Sequence, residues 1–199
     1  MPKAEFFVPF GLFAQREFLD GALCDELRGE MASAPGRPSP VAEDAADAVD
    51  EDYRKTVSAQ VSDATESLVR GRLDRVRPSL ERHFDTGLKG CQPPQFLRYR
   101  EGDYFRAHAD HEAEGPRHVT ERRASAVVFL NGESDDAEPG SYSGGALTFF
   151  GLMGDPRGDA VGFPLVGETG LLIAFDSDLV HSVTPITRGE RFSIVSWFV

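Results

Sequence analysis

Tyr104-Phe105-Arg106-Ala107-His108-Ala109-Asp110-His111 carries an imidazole and a carboxylate two positions apart in a run rich in aromatic residues. Read as a β-strand, alternate side chains leave from one face, so His108 and Asp110 can reach the same ion while His111 points away. A third ligand must come from elsewhere. His181 supplies one, closing the turn Asp176-Ser177-Asp178-Leu179-Val180 after the apolar run Leu171 to Phe175. Two imidazoles and one carboxylate on one side of a metal leave the opposite positions open. That arrangement suits ferrous iron that must also hold a chelating cosubstrate and dioxygen, whereas zinc favours a closed four-coordinate shell or a single open position. A His-x-Asp pair alone is common by chance, and its structural reading stands beside this one.

Outward from that stretch, everything after Pro93-Pro94 has the texture of short strands punctuated by Gly, Asp, Pro and Ser. The runs are Gln95 to Arg100, Tyr104 to Asp110, Ser125 to Leu130, Ala146 to Phe150, Gly170 to Phe175 and Phe192 to Val199. Strands at this spacing predict an antiparallel sandwich or barrel. The expected class is therefore α+β, mainly β, in one domain over residues 1–199, with residues 1–94 as a helical support and 95–199 as the β core.

In the N-terminal part, Phe6-Phe7-Val8-Pro9-Phe10 reads as a short strand or buried arm, and Glu17 to Met31 places Phe18, Leu19, Ala22, Leu23 and Leu27 near helical spacing. A second helix is announced by the capping-box pattern Asp63-Ala64-Thr65-Glu66 and by Val69, Leu73, Val76, Leu80 and Phe84. Pro78 lies inside it and predicts a bend or break near Arg77. Residues 33–52, almost free of large apolar side chains, predict a mobile loop. That loop and the insertion 131–143 are both lid candidates.

The 199 residues include 33 acidic and 21 basic side chains, a formal charge of −12, which disfavours nonspecific attraction to nucleic acid. No apolar stretch approaches the roughly 20 residues that cross a bilayer, and the start Met1-Pro2-Lys3-Ala4-Glu5 lacks signal-peptide character, so a cytoplasmic protein without membrane contact is expected. Cys24 and Cys91 are far apart, without CxxC spacing, and read as unpaired thiols. His118 falls in a polar loop segment and His83 on the second helix, and neither is chosen as a ligand.

Arg191 opens the last strand, and Ser193 shares its face, so a guanidinium fork and a hydroxyl can grip one carboxylate. The ordered motifs Tyr99-x-x-Gly102-x-x-Phe105-x-x-His108-x-Asp110, Phe129-Leu130-Asn131, Gly144-Gly145-x-Leu147-x-Phe149 and His181 through Arg191-x-Ser193 together resemble the iron(II)/2-oxoglutarate-dependent dioxygenases, in their prolyl 4-hydroxylase-like branch. The resemblance covers Gln95 to Val199.

What it implies is a double-stranded β-helix, or jelly roll, with the N-terminal helices packed on one face. His108, Asp110 and His181 would be its iron ligands and Arg191 the anchor of the distal carboxylate of 2-oxoglutarate, with Ser193, Tyr99 and Thr148 as helpers or pocket wall. No catalytic group beyond the metal site is implied. The implied cofactors are Fe(II), 2-oxoglutarate and O2, with ascorbate a possible addition. The implied reaction hydroxylates a C–H bond, foremost that of a prolyl residue in a protein or peptide, releasing succinate and CO2. Collagen-type members carry Lys at the anion position, so Arg191 weakens a collagen-type identity. Two alternatives remain: an oxygenase of a free amino acid or biosynthetic intermediate, and a non-catalytic metal- or metabolite-binding jelly roll. Phe105, Phe129, Leu147, Phe149 and Trp197 are candidate pocket lining and equally plain core. Arg98, Arg100, Arg106, Arg122 and Arg123 are expected near the pocket mouth, where an anionic substrate or acidic peptide is one reading and a solvated strand face the commoner one.

Overall fold

Strands in the C-terminal half read as nearly continuous hydrophobic runs because the sheet they form is buried on both sides. The computed structural model describes residues 2–39, 50–136, 138–154 and 160–199. Seven strands make the larger sheet, in the spatial order β1 (Phe13–Gln15), β11 (Leu172–Asp176), β7 (Ala124–Phe129), β14 (Arg191–Phe198), β5 (Gln95–Tyr99), β4 (Val57–Ala59) and β2 (Gly36–Pro38). The smaller sheet runs β10 (Phe163–Leu165), β9 (Leu147–Phe149), β12 (His181–Val183), β6 (Tyr104–His108) and β3 (Arg54–Lys55), and a ribbon pairs β13 (Ile186–Arg188) with β8 (Ser143–Gly144). Every pairing between these strands is antiparallel. The two facing sheets form the jelly roll that the resemblance implies.

The strand period of two divides the larger sheet between two cores. Ala124, Ala126 and Val128 of β7, with Phe192, Ile194 and Phe198 of β14, face a helical layer. Val127 and Phe129, with Leu97 and Tyr99 of β5, face the smaller sheet. Arg191, Ser193, Val195 and Trp197, at the alternate positions of β14, share that inner side. The last strand thus presents a guanidinium, a hydroxyl and an indole to the interior in one row.

The helical layer consists of α2 (Gly21–Ser33) and α3 (Asp63–Phe84), while α1 (Ala4–Phe7) and α4 (Arg117–Thr120) are single turns. α3 buries Val69, Leu73, Val76 and Leu80 against the larger sheet, each worth about 1.5–3 kcal/mol relative to exposure. Its N-cap is Ser62, one residue before the expected box. Ser62 accepts from the Thr65 amide at 3.3 Å, and Glu30 of α2 accepts from the Ser62 amide and the Thr65 hydroxyl, each at 2.6 Å. The cap moved because a partner from another helix completes it.

Further expectations are corrected. Phe6-Phe7-Val8-Pro9-Phe10 is α1 running into a 3-10 turn, since Phe7 alone is fully buried and a strand would have alternated. α3 continues unbroken through Pro78, because Pro78 and Asp74, whose carbonyl it leaves without an intrahelical donor, both lie on the exposed face. The N-terminal part is more than a helical support: β1 to β4 extend both sheets. Of the expected loop 33–52, Gly36–Pro38 is strand β2, and residues 40–49 lie outside the described residues. No described helix is long and apolar enough to cross a membrane.

Candidate metal centre

β6 and β12 are neighbours, and His108 and His181 are direct cross-strand partners. The register slips immediately beyond them, so that Val183 pairs with Phe105; the bulge ends regular pairing where the two imidazoles meet. Asp110 lies just past the end of β6. Its amide and that of His111 both donate to the Ser177 carbonyl, at 2.9 and 3.0 Å, folding the chain back toward the imidazoles. The result gathers His108, Asp110 and His181, with one ligand atom from each lying within 4.8 Å of the others.

The closer geometry suits a single cation. Asp110 Oδ1 lies 3.6 Å from His108 Nε2, and Oδ2 lies 3.5 Å from His181 Nε2. Ligands about 2.0–2.2 Å from one ion and about 90–110° apart are roughly 3–3.6 Å from each other. The outer ring nitrogens are already committed: His108 Nδ1 donates to the Arg106 carbonyl at 2.8 Å and His181 Nδ1 to the Leu179 carbonyl at 2.9 Å. A carbonyl can only accept, so each Nδ1 carries a proton, and Nε2 is the atom that each ring turns to the carboxylate side. Burial, helped by His108, lowers His181 to about 4 against the pull of Asp110, so its ring is neutral at physiological pH. Burial alone would raise Asp110, but His181, His108 and hydrogen bonds from His108 and Ser125 outweigh it and hold the carboxyl well below the usual range. A neutral His181 and an ionised Asp110 are in the protonation states a divalent metal requires of its ligands.

Behind Asp110 stands a polar pair. Ser125 and Ser177, both fully buried, share a hydrogen bond at 3.0 Å. No motif marked these serines, because they come together only through the pairing of β7 with β11.

The triad forms one side of a cavity of about 330 Å³, and Arg191 closes its inner end. Arg191 is 1% exposed, donates from one terminal nitrogen to Ser193 at 3.2 Å, and lies 5.1 Å from the Tyr99 ring centre and 4.9 Å from that of Phe129. Its Nε has no hydrogen-bond partner, and no carboxylate pairs with it among the described residues. A buried cation in that condition costs several kcal/mol unless an anion arrives. The donors present therefore fit a chelated iron(II) beside a dicarboxylate.

Tyr99 lines the cavity, whereas Ser193 touches it only through Arg191. Thr148 does not line it: Leu147 takes that face of β9, and the Thr148 hydroxyl donates to the Ala146 carbonyl at 3.4 Å. Of the five arginines expected at the mouth, Arg122 reaches the cavity; Arg98 is on the opposite face of β5 from Leu97 and Tyr99, paired with Glu190 at 2.7 Å. Arg122 lies 3.6 Å over the Trp197 ring and donates to the Asp110 carbonyl at 3.3 Å, so a cation and an indole adjoin the triad. Phe105, Leu147 and Trp197 line the cavity, while Phe129 and Phe149 pack behind Arg191 and His181. His118 also faces the cavity from α4, His111 pairs with Asp178, and His83 meets the Gly11 carbonyl. No described residue of 131–143 lines the cavity; Arg188 holds that segment through the Ser134 and Asp136 carbonyls.

Residues 94–199 match the model of the 2OG-Fe(II) oxygenase superfamily. A PKHD-type hydroxylase of Burkholderia lata is 30% identical over 131 residues, covering 62% of this chain and 52% of the relative. The chain thus spans about half the length of the curated relatives it matches. A prolyl-4-hydroxylase of Pseudomonas putida superposes with a TM-score of 0.69 at 25% identity, over 98% of this chain and 95% of that one. A prolyl hydroxylase from Trichoplax adhaerens, solved with a hypoxia inducible factor peptide fragment, superposes at 0.67 and 16% identity, over 98% and 86%.

Proposed function

The chain belongs to the 2OG-Fe(II) oxygenase superfamily, and from that premise we propose that it is an iron(II)- and 2-oxoglutarate-dependent hydroxylase of prolyl residues in a protein or peptide. One observation carries the chemistry: the buried guanidinium of Arg191, with no carboxylate partner among the described residues, shares a cavity with the three convergent ligand atoms of His108, Asp110 and His181.

In this reading His108 and His181 present Nε2, and Asp110 one carboxylate oxygen, to iron(II). Arg191 receives the distal carboxylate of 2-oxoglutarate, held in place by Ser193 and walled by Tyr99. With metal and cosubstrate bound, the chemistry supplied is oxidative decarboxylation to succinate and CO2 coupled to oxygen insertion into a C–H bond. The protein's part is orientation and exclusion of water. Leu97, Val127, Leu147 and Val183 keep the cavity apolar between the triad and Arg191, so few groups there can divert the reaction. Arg122 and Trp197, beside Asp110, offer a cationic donor and an aromatic face to a peptide carbonyl and a saturated ring. The prolyl preference is supported by the two prolyl hydroxylase neighbours, the Pseudomonas one at 25% identity.

Incubation with Fe(II), 2-oxoglutarate and proline-containing peptides in air tests it by mass spectrometry. The expected result is a gain of one oxygen on proline with stoichiometric succinate. Oxygen gain on a free amino acid but on no peptide would move the substrate to a small molecule, and succinate independent of any substrate would remove the prolyl assignment.

A further inference from the structure

The His108 imidazole is held by more than its own strand. Successive residues of a regular strand leave from alternate faces, so Phe105, three positions before His108, should point away from it. The slip in β6 reverses that. Two steps along β12, from His181 to Val183, are matched by three along β6, from His108 to Phe105, and the surplus residue leaves Arg106 and Ala107 both exposed. Phe105 and His108 thereby share the cavity side, with ring centres 3.7 Å apart and planes 21° from parallel. Phe105 is braced in turn. Arg54, its direct cross-strand partner on β3, sets a guanidinium 4.7 Å from the ring centre, and Tyr53 meets the ring near-perpendicular at 5.8 Å. Because the imidazole already occupies one face of Phe105 at contact distance, the guanidinium takes the other.

β3 is short, yet closely tied to β6. The Tyr104 hydroxyl reaches the Glu51 and Asp52 carbonyls at 3.0 and 3.1 Å, and the Arg106 amide donates to the Tyr53 carbonyl at 3.0 Å. Arg54 itself is 6% exposed and donates from a terminal nitrogen to the Gln95 side-chain oxygen at 3.4 Å. An imidazole binds a metal through a lone pair in the plane of its ring, so a ring free to tilt holds the ion less well. The Nδ1 bond to the Arg106 carbonyl fixes one point of the His108 ring, and the contact with Phe105 fixes its plane. Resting on the metal-site reading above, we propose that Arg54 is a positioning residue of the metal centre, holding the His108 ring plane through Phe105. Arg54 lies before the residues 94–199 that match the superfamily model, so a strand from outside that segment completes the centre.

The test is a double-substitution cycle on Mn(II) affinity, read by titration calorimetry on the wild type, Arg54→Met, Phe105→Leu and the two combined. Removing the Arg54 charge also relieves its repulsion of the bound cation, but that change is common to both backgrounds and cancels in the cycle. Phe105→Leu should weaken Mn(II) about 10-fold or more. Arg54→Met should cost about 3- to 30-fold more affinity with Phe105 present than after Phe105→Leu, the upper value being that of a desolvated cation over a ring. Arg54→Lys, which keeps a cation over the ring, should bind Mn(II) within about two-fold of the wild type. The visible absorption of Co(II)-loaded protein, which reports ligand geometry, should shift in Arg54→Met and return in Arg54→Lys. Equal effects of Arg54→Met in the two backgrounds would overturn this inference alone, as would a Co(II) spectrum that Arg54→Met leaves unmoved or an Arg54→Lys variant that behaves like Arg54→Met. Wild-type Mn(II) affinity retained in His108→Ala would overturn the metal-site reading and this inference with it.

Discussion

Replacing Arg191 by Met separates a binding charge from a structural one. The Arg191 guanidinium is 1% exposed, donates to Ser193, has no carboxylate partner among the described residues, and has two aromatic faces at about 5 Å. Each such face offsets burial by about 0.5–2 kcal/mol, less than the several kcal/mol a buried, unpaired ion costs. Met fills similar volume without the charge, so Arg191→Met should leave the cosubstrate-free protein as stable as the wild type or more so. With 2-oxoglutarate at about 100 times its Kd, the wild type gains about 2.7 kcal/mol, which for a chain of this size raises Tm by roughly 5–10 °C. Losing the charge-assisted contact costs about 1.5–3 kcal/mol, so Kd rises about 10- to 150-fold. The gain at the same concentration then shrinks to about 0.3–1.4 kcal/mol. Thermal unfolding of Mn(II)-loaded protein, with and without 2-oxoglutarate, reads both quantities. A variant that melts several degrees lower but keeps the full 2-oxoglutarate shift would refute the reasoning and make Arg191 a packing residue.

Ser125→Ala should weaken Mn(II) or Co(II) binding by about 10- to 100-fold with the fold intact, because the hydroxyl steadies the Asp110 carboxylate; unchanged metal affinity would reduce Ser125 to a space filler. Glu133 is raised from the usual 4.5 to about 7, chiefly by burial. Its folded form holds the proton more tightly than the unfolded chain, so the wild type loses stability as pH climbs from about 4.5 to 7 and stays level above. Glu133→Gln should therefore gain about 2 kcal/mol on the wild type between pH 4 and pH 8, after discounting for partial exposure, as read by urea unfolding. Parallel stability curves would contradict that sign.

What could be read in advance follows from range. His108 and Asp110 were legible as a pair from their i, i+2 spacing, although β6 ends at His108 and amide bonds to the Ser177 carbonyl complete the placement of Asp110, and the long runs of β7, β11 and β14 declared themselves through apolar content. Strands β1 to β4, at two or three residues each, are too short to show a period, and they exist only because the larger strands offer an edge to pair with. Thr148 illustrates a second limit: facing on a three-residue strand is decided by its partners β10 and β12, and these turned Leu147 to the cavity instead. Ser125 and Ser177 carry no motif, since their surroundings are assembled from segments distant in sequence. The cap of α3 shifted to Ser62 for the same reason, Glu30 arriving from another helix.

The convergence of His108, Asp110 and His181 on one ion is tested most directly by crystals grown anaerobically with Fe(II) and 2-oxoglutarate and measured at the iron absorption edge. The account predicts one anomalous peak about 2.0–2.2 Å from His108 Nε2, His181 Nε2 and an Asp110 carboxylate oxygen. A peak bound elsewhere, or one missing any of the three side chains, would contradict it.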